Sequence, residues 1–145
     1  MRPTRARELA AAGVIAGALG YLLLTWTYRS LPQLPRTAPL SIFIFALLEF
    51  QTANITRHRM AGRVGTKPIA ALTVARLAAL AKASSLTAAV LAGGWAALLA
   101  YTITHWDQFG TAGADLLTGC LGLAAAAILL AAALLLEKVC RVRKR

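Results

Sequence analysis

Four long apolar segments constrain the fold of this chain more than any other feature of its sequence. They cover residues 9–28, 40–56, 77–104 and 116–136, in a chain that is 59% hydrophobic and 14% charged. A helix needs about 20 apolar residues to cross a hydrocarbon core of about 30 Å. Backbone polar groups in lipid must also be hydrogen-bonded within the protein. The sequence therefore predicts an all-α integral membrane bundle of four transmembrane helices, forming a single domain over 1–145.

Basic residues flank these segments unevenly. All but two of the 16 lie before the first segment, between positions 57 and 82 (the loop and helix start at 57–76, and Lys82), or in the tail at 137–145; the exceptions are Arg29 and Arg36. By the positive-inside rule, this distribution predicts a multi-pass protein of the cell membrane with both termini in the cytoplasm. The third helix is predicted to extend beyond the bilayer on the cytoplasmic side. The net charge of +11 then favours contact with anionic lipid headgroups and argues against nucleic-acid binding.

One carboxylate, Glu49, interrupts the second segment near its middle. Ionisable groups at that depth are costly, and they usually face the interior of a bundle. Counting the helical rise from the flanking basic residues brings Glu49 level with Lys82 to within one turn. We therefore predict an intramembrane pair, with added hydrogen bonds from neighbouring serines. The candidate polar site comprises Glu49, Lys82, Arg76, Ser84 and Ser85.

Helical spacing predicts a partly polar face around this carboxylate. Its members are Ile42, Phe45, Glu49, Thr52 and Thr56. Several roles stay open for Glu49. It can lock the second helix to the third, either in an ion pair or as a protonated, hydrogen-bonded acid. It can instead couple to a proton or cation, or bind a partner protein.

Small residues recur at four-residue spacing in three of the segments, where helices in lipid need them for close approach. The predicted packing positions are Gly13, Gly17, Gly93, Gly94, Gly119 and Gly122. They are interpreted as contacts within the bundle, and a dimerisation face on the first helix is the alternative.

The segment PIAALTVARLAALAKASSLTAAVLAGG and the ending LEKVCRV resemble a family of small actinobacterial integral membrane proteins, domain of unknown function 3180. The matching elements are Pro68, Arg76, the run LAKASS at 80–85, and the glycines at 93 and 94. The resemblance spans nearly the whole chain. It implies four spans and no assigned activity, so it supplies no catalytic residues.

The residues offer no catalytic, metal or cofactor site. The two histidines, His58 and His105, have no second ligand at metal spacing, and Cys120 and Cys140 would lie roughly 30 Å apart on one helix. We therefore expect a protein that is not an enzyme, acting as an accessory or scaffold subunit through helix packing and through partner or anionic-lipid association. A membrane-protein partner or a homodimer is possible. The alternative is a small four-span transporter, proton- or cation-coupled, that uses Glu49.

Overall fold

The computed structural model describes residues 5–30, 35, 37–60, 71–108 and 112–141. Four helices account for nearly all of them: α1 (Ala6–Thr27), α2 (Ala38–Met60), α3 (Ala71–Thr104) and α4 (Ala112–Arg141). Two short 3₁₀ turns, Tyr28–Ser30 and Trp106–Gln108, follow α1 and α3. The described residues include no strand. The predicted all-α architecture is confirmed, and all four helices are long and apolar enough to cross a membrane.

Several threonine hydroxyl groups donate to the backbone of their own helix. Thr25 and Thr27 donate to carbonyl oxygens of the preceding turn of α1, and Thr102 and Thr118 do so in α3 and α4, at 2.6 to 2.9 Å. A hydroxyl bonded back to its own helix adds little polar surface toward lipid. These positions therefore fit within apolar helices that are otherwise rich in alanine and leucine.

α3 and α4 form the centre of the bundle, and α2 reaches α3 as well as α4 through Ala46 and Ala53. α3 packs against α1 on one side and α4 on the other, and α4 also packs against α2. α1 runs parallel to α3, because Gly13 lies against Ala89 and Gly17 against Gly93. α4 runs antiparallel to α3, since Gly119 meets Leu99 and Gly122 meets Trp95. Alternating directions bring the start of α1 and the end of α4 to the same end of the bundle.

The contact between α1 and α3 is a backbone-to-backbone approach. A Cβ atom added at Gly13 would lie 3.2 Å from the carbonyl oxygen of Ala89, and one at Gly17 would lie 3.3 Å from that of Gly93. A Cβ atom at Gly93 would collide with the backbone of Gly13. The first helix therefore uses its GxxxG face within the chain, as the intramolecular interpretation predicts.

The other predicted packing glycines differ in their surroundings. A Cβ atom at Gly122 would strike the ring of Trp95, and one at Gly119 would come 2.8 Å from a terminal methyl group of Leu99. Both contacts belong to the seam between α3 and α4. Gly94 is a correction to the predicted set: it is exposed, and a Cβ atom there would meet nothing within 4 Å. Its neighbour Gly93 takes the contact because it points at α1.

α3 is the longest helix, with 34 residues and a length of roughly 50 Å. Since Gly13 is level with Ala89, α3 begins about 16 Å beyond the start of α1, at the same end. The predicted extension of the third helix is thus present. α2 also continues past the predicted span end at 56, and α4 continues past 136. Residues 61–70 of the predicted loop and 142–145 of the predicted tail lie outside the described residues.

Candidate functional site

Glu49 lies on the face of α2 that packs into the bundle, and only 8% of its surface is exposed. The buried residues of that face recur every three, four or seven positions, which is one or two helical turns: Pro39, Ala46, Glu49, Ala53 and Thr56. The sequence placed Phe45 and Thr52 on the buried face of α2. In the structure Phe45 is 66% exposed and Thr52 is half-buried. Alanines take the contact instead, since small side chains let two helices approach closely.

The carboxyl group of Glu49 forms a polar layer between two apolar clusters. Toward one end, Ala46 meets Ala88 and Leu129; toward the other, Ala53 meets Ala81 and Leu136. Ser84 of α3 stands between Ala81 and Ala88 in sequence, and its hydroxyl group lies within interaction range of the Glu49 side chain. Ser84 therefore lies on α3 near the depth at which the sequence predicted the partner of Glu49.

The rest of the predicted polar site is not gathered around this carboxyl. Lys82 and Arg76 are exposed on α3, and Ser85 is fully buried but donates to the carbonyl oxygen of Lys82 at 2.9 Å. Within the described ranges, Glu49 forms no ion pair with Lys82. The Oε1 atom of Glu49 is buried with no hydrogen-bond partner in the described part of the chain. One carboxyl oxygen is thus available to a proton, a cation or an incoming donor.

A second polar cluster lies at the end of the bundle where α1 and α3 end and α4 begins. The sequence did not predict it. The Tyr28 hydroxyl donates to Oδ2 of Asp115 at 2.7 Å in a buried contact. The ring of Tyr101 lies 4.9 Å from that of Tyr28 and 5.8 Å from that of Tyr21. His105 stacks on Tyr101 at 4.4 Å, and its Nδ1 lies 3.1 Å from the Tyr101 carbonyl oxygen. We name these five residues the aromatic–acid cluster.

The aromatic–acid cluster connects three helices. Tyr21 and Tyr28 come from α1 and the turn after it, Tyr101 from α3, and Asp115 from the first turn of α4, where a negative charge also complements the helix dipole. Asp115 lies just before the fourth predicted segment, 116–136, yet it is only 5% exposed. The available signals were the two-turn spacing of Tyr21 and Tyr28 and the acid near a helix start.

Exposed basic residues from all four helices lie at one end of the bundle, the end opposite the aromatic–acid cluster. Those with described side chains are Arg5, Arg7, Arg57, Arg59, Arg76, Lys82 and Lys138. We call this set the basic end. The predicted basic positions 2, 63, 67 and 143–145 lie outside the described residues.

Among residues 5–30, 37–60, 71–108 and 112–141, no group of three or more His, Cys, Asp or Glu side chains could hold a metal ion. Cys120 is exposed and Cys140 buried, and both are free thiols.

The sequence of residues 9–144 matches the family described as "Protein of unknown function (DUF3180)". The chain belongs to the DUF3180 family. The match runs through all four helices, so Glu49, Ser84 and the aromatic–acid cluster all lie within the DUF3180 region. No curated protein and no solved structure matches the chain.

Proposed function

We propose that this DUF3180 protein is a non-enzymatic accessory or scaffold subunit of the cell membrane. It acts by helix packing and by association with a membrane-protein partner and with anionic lipid. In this proposal the basic end faces the cytoplasm, and so do both termini.

The observation that supports the proposal is the basic end itself. Seven exposed cationic side chains, contributed by all four helices, lie at that end. The opposite end has Asp107 exposed and Asp115 buried. Each Lys or Arg near an anionic leaflet contributes about 1 kcal/mol of attraction. The positive-inside rule assigns such an end to the cytoplasm.

The test is purification in a mild detergent, followed by identification of the proteins and lipids that remain bound. We expect a stoichiometric membrane-protein partner and enrichment of anionic over zwitterionic lipid. The Arg57→Gln/Arg59→Gln variant should retain less anionic lipid, whereas Ser41→Ala, an exposed change at the other end of the same helix, should retain as much as the wild type. Recovery of the chain without any reproducible partner protein, and with lipid in the bulk ratio, would overturn the proposal.

A second candidate, a small proton- or cation-coupled transporter, is favoured by the buried Oε1 of Glu49 that has no partner among the described residues. The test compares cells expressing the wild-type protein, Glu49→Gln, and Glu8→Gln, the last being an exposed acid near the start of α1. Transport predicts protection from cationic toxicants that is lost in Glu49→Gln and kept in Glu8→Gln. Equal survival of all strains, with or without the protein, rejects transport of this kind.

A further inference from the structure

Two side-chain amides lie on the outward face of α2. Gln51 and Asn54 are both exposed, and they lie about 160° and 140° around the helix axis from the buried Glu49. In the part of the chain that the structure describes, neither amide has a hydrogen-bond partner. The rest of this face is apolar and exposed: Leu40, Phe43, Ile44, Leu47 and Ile55. We call this face the amide stripe.

The amide stripe lies within the apolar part of the membrane span. Gln51 is two residues from the midpoint of α2 (Ala38–Met60), which is about 3 Å, and Asn54 is about 8 Å from it. Both distances fall inside the half-thickness of a hydrocarbon core of about 30 Å. Lipid tails offer neither donors nor acceptors, so amides at this depth are stabilised by a hydrogen-bonding partner from another helix.

We propose that the amide stripe is the surface through which two copies of this chain associate. The inference rests on the proposed accessory role and specifies one of its contacts. α2 packs against α4 through its opposite face, so the stripe is accessible at the edge of the bundle. The GxxxG face of α1, the other candidate for self-association, is occupied by α3.

A second copy fits the stripe because an amide side chain is self-complementary. Each amide has donor hydrogens and an acceptor oxygen, so Gln51 can pair with Gln51 of a second copy, and Asn54 with Asn54. Two copies inserted in the same orientation are related by a two-fold axis along the membrane normal. That symmetry places identical residues at identical depth.

The charges near the stripe allow this arrangement. Arg57 and Arg59 each lie about 80° from Glu49 around the helix, on opposite sides, so they flank the stripe and do not face their counterparts across the axis. They also lie toward the basic end, beyond Gln51 and Asn54 in the sequence. The pairing surface itself contains the two amides, Phe43 and aliphatic side chains, and the exposed His58, about 180° from Glu49, continues the same face toward the basic end.

Cysteine crosslinking of the purified full chain tests the proposal. The background is Cys120→Ser/Cys140→Ala, because both native thiols are free. Leu47→Cys reports on the stripe; Phe45→Cys, exposed on the same helix but well away from the stripe, is the matched control. The proteins are placed in phosphatidylethanolamine–phosphatidylglycerol vesicles at low protein-to-lipid ratio and oxidised with copper phenanthroline.

We expect disulfide-linked dimers from Leu47→Cys and at least fivefold fewer from Phe45→Cys. Adding Gln51→Leu should raise the dimer dissociation constant about tenfold, the effect of losing one interhelical hydrogen bond. Gln51→Asn, which keeps an amide, should restore part of the crosslinking. Gln51 is exposed, so circular dichroism and melting temperature should match those of the parent.

The inference is overturned if both cysteines crosslink equally, or if Gln51→Leu leaves the Leu47→Cys dimer unchanged. It is also overturned if Leu47→Cys in native membranes crosslinks to a different protein and not to a second copy. These vesicles contain no other protein, so the experiment addresses self-association alone. Failure here, with a stoichiometric partner still recovered from native membranes, would refute the dimer and leave the accessory role standing.

Discussion

Replacing Gly93 by alanine tests the backbone contact that joins α1 to α3. A Cβ atom at this position would collide with the carbonyl oxygen of Gly13 and would lie 3.0 Å from the amide nitrogen of Gly17. Both obstacles are backbone atoms of a second helix. They cannot rotate away as a flexible side chain would, so α1 must move as a body.

The size of the effect follows from two opposing terms. Overpacking a close contact costs typically 1–3 kcal/mol. Replacing glycine by alanine inside a helix returns about 1 kcal/mol of backbone propensity. We therefore expect Gly93→Ala to lower the free energy of unfolding by roughly 0–2 kcal/mol, and by about 1–3 kcal/mol relative to a glycine-to-alanine change that causes no collision.

The adjacent glycine provides a matched control. Gly94→Ala makes the same chemical change in the same helix turn, but its Cβ atom would meet nothing within 4 Å. It should leave stability unchanged or raise it by up to about 1 kcal/mol. The assay is reversible unfolding in mixed detergent micelles, followed by circular dichroism. Equal unfolding free energies for the two variants would refute the close contact between α1 and α3.

Two further predictions address the polar contacts. Tyr28→Phe removes the donor to Asp115 and should lower the unfolding free energy by about 1.5–3 kcal/mol, the usual value for a bond to a charged group. Tyr21→Phe keeps the ring that contacts Tyr101, so its unfolding free energy should stay within about 0.5 kcal/mol of the wild type in the same assay. Equal losses for the two variants would contradict the bond between Tyr28 and Asp115. Double-mutant cycles with Glu49→Leu should give a coupling of about 0.5–1.5 kcal/mol with Ser84→Ala and additivity within about 0.5 kcal/mol with Lys82→Gln. Coupling to Lys82 but not to Ser84 would reinstate the ion pair and reject the serine contact.

The sequence predicted the spans well because a span is recognised from the length and hydropathy of its own segment. A helix that crosses lipid must be long and apolar, and no tertiary contact is needed to recognise it. Depth could also be predicted, since the helical rise counted from flanking basic residues placed Glu49 level with Lys82 to within one turn, and Ser84, two residues further along α3, is the residue found beside it.

The rotation of each helix about its axis was harder to predict. α2 has small and polar residues on several faces, so periodicity alone did not distinguish Ala46 and Ala53 from Phe45 and Thr52. Packing against α4 decides between them, and it turns the alanines inward. One step along a helix is about 100°, so an adjacent position can face another direction entirely. Gly93 and Gly94 differ for the same reason.

The aromatic–acid cluster could not be predicted from local pattern. Tyr28 and Asp115 are 87 residues apart, and the contact exists because α1 and α4 both pack near the same end of α3. The sequence places each of them near a membrane boundary, where tyrosine and aspartate are ordinary. The helices around Asp115 bury it, and the sequence next to Asp115 gives no sign of this burial.

The mass of the assembly released directly from native membranes tests the central claim, which is that this protein acts by association. Native mass spectrometry of polymer-extracted membrane patches measures the protein stoichiometry and the bound lipid together. The account predicts an assembly with more than one protein chain and with anionic lipid retained on the basic end. A single chain, with lipid in the proportions of the surrounding bilayer, would contradict it.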